Sequence, residues 1–98
     1  MNTANLQLEG LYLAVAALMN AVRDKGLLSE AEIEGALARA EEVALTDPLR
    51  APHLSPAHVD AICFPLRLLR LANSAGAQGQ ERSFTELATQ IGQMKPPH

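Results

Sequence analysis

The sequence predicts an all-α fold: a small four-helix domain in which an antiparallel helical hairpin is followed by a proline-kinked third helix and a short C-terminal helix. Three observations carry this expectation. Apolar residues recur at spacings of three and four in several segments, which is the repeat of one helical face. No segment shows the strict alternation of apolar and polar residues that marks a half-buried strand. Ser29 with Glu32, and Ser83 with Glu86, stand at the spacing of a helix capping box. A chain of 98 residues is large enough for one hydrophobic core and not for two. With 48% hydrophobic residues but only three aromatic side chains, that core must be aliphatic.

The expected helices cover residues 5–25, 30–45, 56–73 and 84–93. Residues 1–5 are expected to fray as a chain end. Within the first helix, residues 11–19 carry no charge, and the rest of the chain is expected to pack around them. Leu8, Leu11, Val15, Leu18 and Val22 line one face, Tyr12 and Met19 widen it, and Leu13 and Ala17 continue it towards the back. A helix apolar on nearly all sides is buried in a domain centre, an oligomer interface or a membrane. The membrane fails on length. Only thirteen uncharged residues separate Glu9 from Arg23, and a span needs roughly 20. No basic residue precedes the apolar run, as a secretory signal would require. Arg23 and Lys25 suit the negative end of the helix dipole, and Gly26 suits the left-handed turn that stops it.

The second helix starts at Glu30, capped by Ser29, with Leu28 and Ile33 as the accompanying hydrophobic staple. Its expected buried face is Ile33, Ala36, Leu37, Ala40 and Ala44, and it should end before Asp47-Pro48. The connection from the first helix is short, so the two should form an antiparallel hairpin. Pro48, Pro52 and Pro56 punctuate a linker over 46–54. Ser55 then caps the third helix, with Pro56 at the first helical position. Val59, Ile62, Leu66 and Leu69 supply its apolar stripe, and Pro65 bends it while the apolar spacing continues across. Residues 73–80 read as a flexible loop from their Gly, Ser and Asn content. Ser83 opens the last helix, with Phe84, Leu87, Ala88 and Ile91 inward, and residues 95–98 are a tail.

The candidate chemistry is thin. His53, His58, Asp60 and Cys63 are the one cluster of metal-ligand type, but a metal needs three or four groups converging on one point. His58 and Cys63 are five residues apart, Asp60 points away from His58, and His53 lies in another segment. The expectation is no metal and no cofactor, with Cys63 a small buried hydrophobe. No histidine is placed to activate Cys63, and no phosphate loop or hydrolase motif occurs, so no enzyme activity is expected. A lone cysteine forms no internal disulfide, which points to the cytoplasm. Residues 30–47 hold six acids and one base. Arg67 and Arg70 are expected to pair with those acids, within the fold or across a dimer.

Phe84-Thr85-Glu86-Leu87-Ala88, followed by Ile91-Gly92, is similar to the supporting helix and turn of winged helix-turn-helix domains, and that resemblance implies nucleic-acid binding. A recognition helix should follow Gly92, and Gln93 to His98 are too few and include two prolines. The net charge of −3 also lacks the basic footprint of a nucleic-acid binder. A degenerate helix-turn-helix domain is therefore the alternative reading. The leading one is a non-enzymatic protein-interaction or regulatory module with an unidentified protein partner, itself a homodimer. Leu11, Tyr12, Leu13, Val15, Leu18 and Met19 are its candidate interface.

Overall fold

A computed structural model describes residues 3–46, 55–80 and 84–94. It contains four helices and, among the described residues, no strand: α1 (Thr3–Asp24), α2 (Glu30–Thr46), α3 (Pro56–Ala77) and α4 (Phe84–Met94). The all-α class and the order of elements are as the sequence predicts. The linker prolines Pro48 and Pro52, His53, the Ser83 cap, the Phe84 side chain and the tail lie outside the described residues.

Local chemistry sets the helix ends. The Ser29 amide donates to Glu32 Oε1 at 2.9 Å, and the Glu32 amide donates to Ser29 Oγ at 3.1 Å, so the expected capping box is formed. Upstream, Gly26 adopts a φ of 74°, a conformation that costs glycine little. The Leu27 amide donates to Val22 O and the Gly26 amide to Arg23 O, the paired bonds of a Schellman ending. Ser55 caps α3 through a second reciprocal box, closed by a partner the sequence reading missed. The His58 amide donates to Ser55 Oγ, and the Ser55 amide donates to His58 Nδ1, each at 3.3 Å. α3 then runs without interruption through Pro65.

Three expectations are corrected. Thr3 to Asn5, expected to fray, already belong to α1. Residues 74–77, expected as loop, extend α3. Asn73 and Ala75 are buried there, and Gly79 at φ 72° ends the helix with the same Schellman bonds as Gly26: Gln80 to Ala75 O and Gly79 to Gly76 O. Tertiary contact outweighs the weak helix propensity of Asn, Ser and Gly at this point. On α2, Ile33 and Ala44 are buried and Leu37 is half-buried as expected, but Ala36 and Ala40 are exposed. The helix is rotated so that Glu34 and Glu41 face α3 instead.

The largest correction concerns the centre. The chain is organised around α3, on which α2, α1 and α4 each pack. The short connection joins α1 to α2 as expected, yet the main packing partner of both is α3. The core comprises Tyr12, Leu68, Leu69, Leu87 and Ile91, with Val15, Ala16, Met19, Leu37, Phe64 and Ala72 among the side chains against it. α1 thus contributes Tyr12, Val15, Ala16 and Met19, the i, i+3, i+4, i+7 stripe of one helical side. It is a flank of the core and not its axis.

Candidate interaction surface

The six candidate interface residues divide into two sets. Tyr12 is buried, and Val15 and Met19 are half-buried against the core. Burial pushes the Tyr12 phenol up from its ordinary value. Leu11, Leu13 and Leu18 face solvent, 61%, 50% and 65% exposed, and Leu6 and Leu8 are exposed on the same helix. Between Glu9 and Arg23 this outer side carries no charge, and Gly10, Ala14, Ala17 and Ala21 fill it with small groups. These side chains leave an apolar surface on the outer side of α1.

On one side the leucine face opens into a cleft of 280 Å³ between α1, α3 and α4. Leu13 and Ala17 stand at its α1 edge, Leu87 at its α4 edge, and Ala72, Ala75 and Gly76 form the α3 floor. A Cβ on Gly76 would lie 2.5 Å from Asn20 Oδ1 and 2.6 Å from Arg23 Nη2, so a larger residue there would displace these two side-chain ends.

Asn73 fixes that approach. Its side chain accepts from Arg23 Nη1 at 2.8 Å and donates to Glu30 O at 3.0 Å, while Arg23 also donates to Asn20. One buried amide therefore ties the end of α1 and the start of α2 to α3. The polar interior among the described residues leaves no buried side-chain nitrogen or oxygen unbonded.

On the opposite flank, α2 and α3 are joined by charge. Glu41 takes Arg67 Nε on one carboxylate oxygen and Arg70 Nη1 on the other, each at 2.8 Å. Arg70 Nε also donates to Glu34 at 2.6 Å, and Arg67 reaches Asp60 at 3.3 Å. Burial alone would raise the Glu41 carboxyl, but hydrogen bonds from both arginines and their charge hold it below its ordinary value. The expected pairing of Arg67 and Arg70 with the acids of α2 is therefore made within the fold.

The remaining candidates are structural. Cys63 is fully buried, and His58 serves as a helix cap. Among the described residues no three acidic, histidine or cysteine side chains are grouped to hold a metal ion. No described helix is long and apolar enough to cross a membrane. No family model, curated protein or solved structure matches this chain.

Proposed function

We propose that the protein is a non-enzymatic protein-interaction module that self-associates through the outer face of α1. The observation that carries this reading is the exposure of Leu6, Leu11, Leu13 and Leu18 on α1, which carries no charge between Glu9 and Arg23. Leaving a leucine-sized side chain in water forfeits roughly 1.5–3 kcal/mol of burial. A two-fold partner presenting the same face recovers it for both copies at once. The arginines of α3 are committed to α2, which leaves hydrocarbon and not charge as the chemistry this surface offers. A lone, buried cysteine fits a reducing compartment, and the proposed setting is the cytoplasm.

Sedimentation equilibrium on the intact protein tests the proposal. The expected result is a dimer in the micromolar range, dissociated by Leu13→Glu with the helical circular dichroism retained. Met19→Glu, directed at the core, should unfold the protomer instead. A wild-type monomer across that range would overturn the proposal.

A further inference from the structure

We draw no further inference here: the strongest candidate, the apolar cleft between α1, α3 and α4 bordered by Leu13 and Leu87, carries nothing because no feature of the structure shows what fills it or covers the α1 face beside it.

Discussion

The two flanks of α3 are held by different forces. On one side α1 lies on it through Tyr12, Val15, Ala16 and Met19, hydrocarbon against hydrocarbon, and turns its other side to water. On the other side α2 brings Leu37 against the core, with a carboxylate gripped by two arginines along the seam. The charged seam is specific. Glu41 fits between Arg67 and Arg70 in one alignment of the two helices, and a shift along the axis would strand a mostly buried charge. The α1 flank is keyed at one end, where buried Asn73 takes Arg23, and its outer leucines face solvent. The clasped flank serves the fold, and the outer leucines of α1 are the surface proposed to meet a partner.

The largest effect should come from the greasy flank. Tyr12→Ala removes the one side chain of α1 that is buried among the described residues and is expected to cost about 3–5 kcal/mol, measured by chemical denaturation. A loss well under that figure would mean α1 is held chiefly by the Asn73 network.

A smaller and pH-dependent loss is expected on the clasped flank. Glu41→Gln should cost about 1–2 kcal/mol near neutral pH, between the values for exposed and buried pairs, because its arginines are partly exposed. The Glu41 carboxyl titrates lower in the folded protein than in the unfolded chain. Its contribution is therefore fully present above the unfolded value of about 4.3 and is lost as pH falls through the folded value. Acid titration of stability should thus be steeper for wild type than for Glu41→Gln in that window. Parallel curves would remove the ion pairs from the account of this seam.

Ser29→Ala should cost about 1 kcal/mol by loss of the cap, and should weaken α2 without altering self-association. At the small end, Leu18→Ser should change protomer stability by less than about 0.5 kcal/mol, measured at a dilution where the protein is monomeric. A large loss there would show that the outer face of α1 is covered within the chain.

Helix boundaries were legible wherever a terminus is made by side-chain chemistry close in sequence. Ser29 with Glu32, Ser55 with Pro56, and Gly26 all act within a turn of where they stand. The end of α3 was legible in principle: Gly79 does there what Gly26 does for α1, but the Asn-Ser-Ala-Gly-Ala run before it reads as loop. What keeps that run helical is Asn73 bonding to α1 and α2, about 50 and 43 residues distant in sequence, which no local pattern records. The same blind spot hid the cleft, whose floor is built from that run. On α1 the leucine periodicity was read correctly as a face, but the wrong face was buried. Leu8, Leu11, Leu18 and their neighbours offer a longer apolar stripe, yet α3 docks on the side bearing Tyr12 because Ala16 is small there and Asn20 and Arg23 meet Asn73 and Gly76. Periodicity ranks hydrophobicity; docking depends on shape and on polar partners.

That α3 is central in space but third in the chain has a consequence for how the protein is made. Translation delivers α1 and α2 before the helix that gives either of them a home. At about 5–20 residues per second, the 31 residues from the end of α2 to the end of α3 take roughly 2–6 s to emerge. In that window the nascent chain has two helices, a Ser29 cap that keeps one of them locally ordered, and both apolar sides of α1 open to solvent. The ribosome-bound intermediate is thus the greasiest species in the life of this protein, and the stage at which a holdase would find the most to hold.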